Sequence, residues 1–294
     1  MNTTLRRPSH QAATGALSSQ ALANVFPPRW ASTWGDDEYG VWADLTINSA
    51  TQRLRWIAPG EFWMGSPDDE PGRFDNEGPR HRVRINQGFW LSDTPCTQGF
   101  WRAWTGESPS HFKGEDDLPV ERVSWDDVQG ALPRLAAMLP PGVQAVLPSE
   151  ADWEYAARAG THSIFNVGDR LDQTHANFGN KLGKTCVVKN YAANSWGLYD
   201  CHGQVLEWCA DGPRNYGRMA TPGGLPLDPK EEAGPGVHRA VRGGAWFDEA
   251  RDARSAFRGA LPSGYRYRYL GFRFALRSTS PGGPEGPSSP GTGR

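Results

Sequence analysis

Short stretches of alternating hydrophobic and polar residues dominate the first third of the chain. The segments Tyr39–Ile47 and Arg53–Ala58 alternate with a period of two on either side of the turn residues Asn48-Ser49-Ala50, which predicts an antiparallel hairpin. Similar short runs, each bounded by turn residues, lie at Glu61–Met64, His81–Ile85 and Phe89–Leu91. Alternation over so few residues is typical of short, half-buried strands.

A different spacing indicates helices. Within Thr97–Thr105 the aromatic residues Phe100, Trp101 and Trp104 recur at intervals of three and four, as on one face of a helix. We therefore expect a short helix whose aromatic face is buried.

Two further helices are indicated by their capping residues. In Pro148–Gly160, Ser149 is a suitable N-cap, Asp152 follows three residues later as in a capping box, and Gly160 is suited to ending the helix. Ser124–Gln129 opens another helix that should end before Pro140. Two or three helices among many short strands predict an α+β fold with much irregular structure.

Composition supports a loop-rich domain with flexible ends. The 294 residues include 35 glycines and 24 prolines, which favour turns, and 13 tryptophans, which supply buried area. Residues 1–36 are polar without a sustained period, so we expect a flexible N-terminal segment before a single domain at 37–277. Residues 278–294 consist mainly of glycine, proline and serine, which predicts a disordered tail.

Charge and hydropathy limit the classes of partner. The formal net charge is −2, and no apolar run approaches the roughly 18 residues that a membrane-spanning helix needs. The N-terminus has no continuous apolar stretch of the kind found in signal peptides, so we expect a cytoplasmic protein without membrane insertion. Four scattered cysteines do not suggest a disulfide framework.

A series of motifs resembles the formylglycine-generating-enzyme or sulfatase-modifying-factor family. They occur in the order and spacing of that family: Met64–Ser66, Glu77–Pro79, Phe89–Leu91, Pro119-Val120, Val123–Trp125, Leu147–Ala157, Trp196–Asp200, Gly203, Glu207-Trp208, Arg242–Trp246, Arg254–Ala256 and Gly271–Arg273. The resemblance covers about three quarters of the chain and implies a C-type-lectin-like fold whose C-terminal region forms one exposed face.

The resemblance also implies that the family's oxidase chemistry is missing. Family oxidases hold copper with two cysteines, five residues apart, and the equivalent positions here are Asp248 and Ala253. Neither residue supplies the thiolate that Cu(I) prefers, and no cysteine follows Cys209. We therefore expect a protein that is not an enzyme. The alternative is a formylglycine-generating or related oxidase that acts on a cysteine substrate with a displaced thiol.

Relatives in this family also bind calcium, and part of that pattern is present. Asn177 and Glu207 match two of its positions, which makes them the candidate calcium ligands. However, Gln204 stands where an asparagine is usual, and no aspartate follows Asn177 at the expected distance. Because calcium needs six to eight oxygen ligands, we expect no cofactor, with calcium as the alternative.

Between the family's framework residues, the C-terminal segment carries a second, interleaved set. This set is the candidate ligand-binding site: Phe247, Asp248, Phe257, Gly259, Leu261, Ser263, Gly264, Tyr265, Tyr267 and Tyr269. All of these residue types are reachable from an asparagine codon by changing its first two adenines. The pattern resembles the variable C-terminus of proteins that are diversified by retroelements. Tyrosine, serine and glycine also dominate antibody paratopes, so we expect a protein ligand.

Two other interpretations of this segment remain open. Tyr265, Tyr267 and Tyr269 alternate with two arginines and would also fit one face of a half-buried strand. The nine arginines between Arg239 and Arg277 would suit phosphate contacts. Most of them occupy framework positions, so we expect internal ion pairs and no nucleic-acid partner.

Overall fold

The computed structural model describes residues 28–218 and 237–279. Within these residues it contains twelve short strands and three helices, joined by long irregular segments. The strands are β1 (Thr33–Asp37), β2 (Gly40–Ile47), β3 (Ala50–Ile57), β4 (Gly60–Met64), β5 (His81–Ile85), β6 (Phe89–Ser92), β7 (Val143–Val146), β8 (Leu206–Trp208), β9 (His238–Arg242), β10 (Gly259–Pro262), β11 (Leu270–Gly271) and β12 (Ala275–Ser278). The helices are α1 (Gln98–Thr105), α2 (Trp125–Ala136) and α3 (Glu150–Arg158). This confirms the predicted α+β class.

The strands form three sheets. The largest has the order β1-β2-β3-β6-β12-β7 and is antiparallel throughout, so the first and last strands of the described chain lie in one sheet. A second sheet, β10-β9-β8-β11, is antiparallel except for the parallel pair β8 and β11. The third is the two-stranded ribbon of β4 and β5. The second sheet holds the segments that flank the candidate site.

Helix caps follow the sequence closely. The side chains of Thr97, Ser124 and Ser149 accept hydrogen bonds from backbone N–H groups of the first turn in α1, α2 and α3, and the latter two form full capping boxes with Asp127 and Asp152. These contacts satisfy donors that a helix start would otherwise leave without partners. Helix α3 ends at Arg158, with the C-cap in the left-handed region before the expected Gly160.

The hydrophobic core lies between the sheets and the helices. The aromatic face of α1 is buried, and Trp101 contacts Phe272 with ring centroids 5.7 Å apart. Trp153 of α3 and Trp208 of β8 are also fully buried. Large aromatic side chains thus provide apolar contact area that the short regular elements alone would not supply.

The N-terminal boundary differs from the expected one. Strand β1 lies mostly within the segment 1–36, for which we expected a flexible chain, and it pairs with β2 along its full length. Gly35 allows this pairing because a side chain there would collide with the Trp42 ring. Residues 1–27 and most of the expected tail, 280–294, lie outside the described residues.

Candidate ligand-binding face

Four aromatic rings from the C-terminal segment form a continuous cluster, which we call the aromatic face: Phe247, Tyr265, Tyr267 and Tyr269. Phe247 contacts Tyr269 at 4.8 Å between ring centroids, Tyr269 contacts Tyr267 at 4.7 Å, and Tyr267 stacks on Tyr265 at 6.0 Å. Tyr267 is 46% exposed and Phe247 is 38% exposed. The rings therefore present a connected aromatic surface to solvent.

The tyrosines lie on a loop and not on a strand, so the interpretation of a half-buried strand is wrong. Residues 263–269 connect β10 to β11 without regular pairing. Their carbonyl groups bond instead to distant segments: Tyr267 accepts from the Arg122 N–H (3.1 Å), and Tyr269 accepts from the Leu206 N–H (2.8 Å). The period-two pattern arises because every second residue of this loop, from Tyr265 to Tyr269, contributes its ring to the cluster.

The loop is also tied down by its side chains. Arg266 donates two hydrogen bonds, each 2.5 Å long, to the carboxylate of Asp127 near the start of α2. The hydroxyl groups of Tyr265 and Tyr269 lie 3.3 Å apart. The Trp246 indole N–H points to the Arg268 carbonyl at 3.4 Å, and the Arg268 guanidinium lies 5.5 Å from the Trp246 ring.

Asp248 orders the backbone next to Phe247. Its carboxylate accepts from the Ala245 N–H (2.9 Å), its N–H donates to the Ala245 carbonyl (3.0 Å), and its own carbonyl accepts from Gly179 (2.7 Å). Burial raises the pKa of Asp248 to about 6. In this structure, Asp248 therefore supports a turn below the aromatic face while its side chain stays half-buried.

The remaining residues of the candidate set lie elsewhere or are enclosed. Phe257 is half-buried and packs against Phe74 (5.8 Å), and Gly259 and Leu261 lie on β10 beside β9. Gly264 is exposed next to Tyr265. Ser263 is 1% exposed and its hydroxyl donates to Asp126 (3.1 Å). The expectation that Ser263 lies on the binding surface is therefore wrong. The structure thus brings four of the ten predicted residues together as one cluster of rings, of which Phe247 and Tyr267 are exposed and Tyr265 and Tyr269 half-buried.

Buried arginines hold the segment that carries the face. Arg273 donates to both carboxylate oxygens of Glu207 (2.6 and 2.7 Å), and Arg254 bonds Glu70 and Glu77. Arg242 and Arg258 share the carboxylate of Glu150. The predicted internal pairing of these framework arginines is confirmed.

The two positions that correspond to the family's copper-binding cysteines carry no sulfur. Besides Asp248, the second position is Ala253, which is buried and whose carbonyl accepts a hydrogen bond from His202 Nδ1 (2.7 Å). His202 Nε2 accepts from the Asn166 N–H, which fixes the proton on Nδ1, and burial lowers the pKa of His202 to about 4. The histidine is fully engaged with backbone groups.

None of the four free cysteines is activated. Cys96, Cys201 and Cys209 are buried, and burial raises the pKa of each thiol, to about 12 for Cys201. Cys186 is half-buried, and burial raises its pKa to about 11. A nucleophilic thiolate is therefore disfavoured at all four positions.

The calcium candidates do not form a suitable set of ligands. Both oxygens of Glu207 are occupied by Arg273, and one also accepts from the Trp153 indole N–H (2.7 Å). The Asn177 amide donates to the Gln204 side chain (3.0 Å), and Gln204 donates in turn to the Cys186 carbonyl (2.6 Å). Within residues 28–218 and 237–279, no group of three or more His, Cys, Asp or Glu residues could hold a metal. Of the two candidates, only Asn177 offers a side-chain oxygen without a hydrogen-bond partner, whereas calcium needs six to eight oxygen ligands.

Sequence reasoning missed one residue that shapes the face. Arg122 has a φ of 61°, a conformation that is uncommon for residues other than glycine, and its N–H holds the Tyr267 carbonyl. No local sequence signal marks this position, because the strained backbone is fixed by contacts far along the chain.

Comparison with known proteins places this geometry in a family. The structure resembles Treponema denticola variable protein 1 with a TM-score of 0.70 and 26% identity, over 80% of this chain and 99% of that one. The described part of the chain contains no helix that is long and apolar enough to cross a bilayer.

Sequence relatives include proteins of different activities. A serine/threonine-protein kinase Pkn1 of Chlamydia trachomatis is 38% identical over 72% of this chain, and a formylglycine-generating enzyme of Streptomyces coelicolor is 33% identical over 50% of this chain and 48% of the enzyme. The chain spans only 37% of the length of the kinase. The sequence profile of the sulfatase-modifying factor enzyme 1-like domain family matches residues 46–278, and the chain therefore belongs to that family.

Proposed function

We propose that this protein is a non-catalytic binding protein that presents the aromatic face to a protein ligand. The observation that carries the proposal is the connected, partly exposed cluster of Phe247 with Tyr265, Tyr267 and Tyr269, whose loop is clamped to a buried framework. Rigid aromatic rings offer contact area at low cost in side-chain entropy, and tyrosine hydroxyls add adaptable hydrogen bonds. An exposed aromatic patch of this kind suits recognition of a protein surface.

We further propose that the aromatic face is diversified by a retroelement. The face residues are of types that changes at the adenines of an asparagine codon produce, whereas the buried arginines between them belong to the framework. The likeness to Treponema denticola variable protein 1 supports this proposal. A face that varies must be separable from the core, and the loop satisfies this requirement because its clamps are mainly backbone groups and Arg266.

Sequencing the 3′ end of the gene in many isolates tests the diversification. We expect substitutions to concentrate at the codons of Phe247, Tyr265, Tyr267 and Tyr269, with a reverse transcriptase gene and an adenine-rich near-copy of the 3′ end nearby. The codons of the arginines in the framework serve as the internal control and should stay unchanged. Substitutions spread evenly over both classes would remove the proposal of diversification and leave general ligand binding.

A library tests binding itself. The four face positions are randomised together on the full chain, and variants are selected against a set of unrelated folded proteins. We expect most variants to remain soluble and some to bind with sub-micromolar affinity. A control library at buried positions such as Trp246 and Phe272 should yield mostly insoluble protein. If the face library gave no binders while its variants stayed folded, the proposed role of the face would be refuted.

The second candidate function is a family oxidase that acts on a cysteine substrate, which the relation to the Streptomyces enzyme favours. Against it stand Asp248 and Ala253 at the copper-binding positions and the raised pKa of the remaining thiols. Incubation with a cysteine-containing sulfatase peptide, copper and oxygen should yield no aldehyde. Formation of the aldehyde at a rate proportional to protein concentration would reverse this choice.

A further inference from the structure

The outer side of the β4–β5 ribbon carries an aromatic ring among arginines. Along both strands the side chains alternate, so that Phe62 and Val83 point into the core while Glu61, Trp63, Arg82 and Arg84 face outward. Trp63 is 41% exposed and lies opposite Arg82 in the strand register. The indole is thus partly open to solvent on the outer side of the ribbon.

A cleft of about 320 Å³ opens next to this indole. Its walls are formed by Glu61, Phe62, Trp63 and Arg82 from the ribbon and by His162 from the loop after α3. This volume is within the range of small-molecule sites. The cleft is separate from the aromatic face, because no residue is common to both.

Arg80 lies next to the cleft, in contact with the lining residues Trp63 and His162, and lacks an acidic partner. Its guanidinium lies 5.6 Å from the Trp63 ring, and its Nη2 lies 3.3 Å from His162 Nδ1, which is the only side-chain hydrogen bond that it makes within residues 28–218 and 237–279. The Nε of Arg80 is buried without a partner. Burial and the nearby Arg158 lower the pKa of Arg80.

The acidic groups around the cleft are already engaged. Glu61 is shared between Arg82 and Arg84. Glu154 pairs with Arg158 and Arg242, and Glu70 pairs with Arg254. The ribbon and Arg80, which immediately precedes β5, together carry three arginines and one glutamate, and the half-buried Arg80 guanidinium remains without a counter-charge. An anion is the group that would complete such a site.

We propose that this cleft binds a small anion attached to a planar ring, with the anionic group on Arg80 and Arg82 and the ring against Trp63. A phosphate or carboxylate supplies acceptor oxygens to Arg80, which has no acidic partner, and to the N–H groups of Arg82 that do not bond Glu61. A ring beside the anion would stack on the exposed indole, which explains why an aromatic residue occupies this position. The proposal concerns a site other than the aromatic face and does not depend on the proposed function.

Isothermal titration calorimetry with simple probes tests the two halves of the site. The full-length protein is titrated with phenyl phosphate, inorganic phosphate and phenol at constant ionic strength. We expect phenyl phosphate to bind about tenfold more tightly than inorganic phosphate, from the contribution of ring stacking, and phenol not to bind measurably. Equal affinity of both phosphates would refute the role of Trp63.

Three variants separate the contributions of Arg80 and Trp63 to the binding of phenyl phosphate. Arg80→Met keeps the aliphatic stem and should weaken phenyl phosphate binding at least tenfold, whereas Trp63→Leu should remove only the preference over inorganic phosphate. Arg84→Met is the matched control, because this arginine is exposed and its partner Glu61 still has Arg82, and it should bind like the wild type. Circular dichroism confirms that each variant is folded. If phenyl phosphate does not bind the wild type, or if Arg80→Met binds it unchanged, the proposal is wrong.

Discussion

The separation between framework and face predicts opposite outcomes for two classes of substitution. In Arg273→Met the apolar stem is kept and the guanidinium is lost. Glu207, which is fully buried, then retains only the Trp153 indole N–H, and the Tyr199 and Ser92 carbonyls lose a donor. Breaking a buried ion pair from one side typically costs about 3–5 kcal/mol. Since small domains are stable by about 5–15 kcal/mol, this substitution should remove a large part of the stability.

Tyr267→Ser tests the other class. The ring is about half exposed, and full burial of a large apolar side chain contributes about 1.5–3 kcal/mol, so its loss should cost about 1 kcal/mol. Phe247→Ser should behave similarly. Tyr265 and Tyr269 are half-buried against the core, and their replacement should cost about 1–2 kcal/mol.

Urea unfolding at pH 7, followed by tryptophan fluorescence, measures both classes with one assay. The midpoint should fall strongly for Arg273→Met and slightly for Tyr267→Ser, at an unchanged denaturant slope. The double variant Glu207→Gln with Arg273→Met should recover part of the loss, because no buried charge is then left unpaired. If Tyr267→Ser destabilises as much as Arg273→Met, the rings belong to the core and the binding face does not exist.

Three further predictions address the cysteines, a buried acid and calcium. In the native protein at pH 8, a thiol reagent should titrate at most one cysteine quickly, the half-buried Cys186, and should titrate all four in urea; rapid reaction of two or more would contradict the burial of the others. Burial raises the pKa of Glu121 to about 7, and one of its oxygens has no partner, so its ionisation costs stability as the pH rises from about 4.5 to 7. The free energy of unfolding of Glu121→Gln, relative to that of the wild type, should therefore rise by about 1–3 kcal/mol between pH 5 and pH 8. The same difference at pH 5 and at pH 8 would exclude this cause. Millimolar calcium should move the melting temperature by less than about 1 °C, because both oxygens of Glu207 are occupied, and a rise of several degrees would indicate a calcium site built from other residues.

The parts of the fold that depend on neighbours in sequence were predictable. The N-caps Thr97, Ser124 and Ser149 and the β2–β3 hairpin are specified by residues within one turn or one loop of each other. Strand β1 was not predicted, because its segment is polar and its order comes from pairing with β2. Long-range pairing of this kind leaves no periodic signal in the strand itself.

The candidate site was predictable in residue type but not in arrangement. The interleaving of tyrosines with framework residues indicated the segment, and four of its aromatic rings do lie together. The local alternation could not reveal that Tyr267 is held by Arg122 or that Ser263 turns inward to Asp126. Those positions depend on contacts between segments more than a hundred residues apart.

The buried ion pairs offer a physical reason why an irregular C-terminal segment keeps one shape. Between β9 and β11 the chain has little strand pairing to fix its register, so other directional contacts must do so. Arg242 and Arg258 reach Glu150 at the start of α3, and although burial alone would raise the pKa of Glu150, the two guanidinium groups hold it below the ordinary value.

These pairs are charge-assisted and geometrically strict, and none of them involves a side chain of the aromatic face. Arg254 extends the same pattern to Glu77, which is also fully buried. Because the contacts that define the backbone and the contacts available to a ligand use different side chains, the rings can change without loss of the ion pairs. The stability of the segment and the chemistry of its surface are thereby set by separate residues, which is the condition that a variable binding face requires.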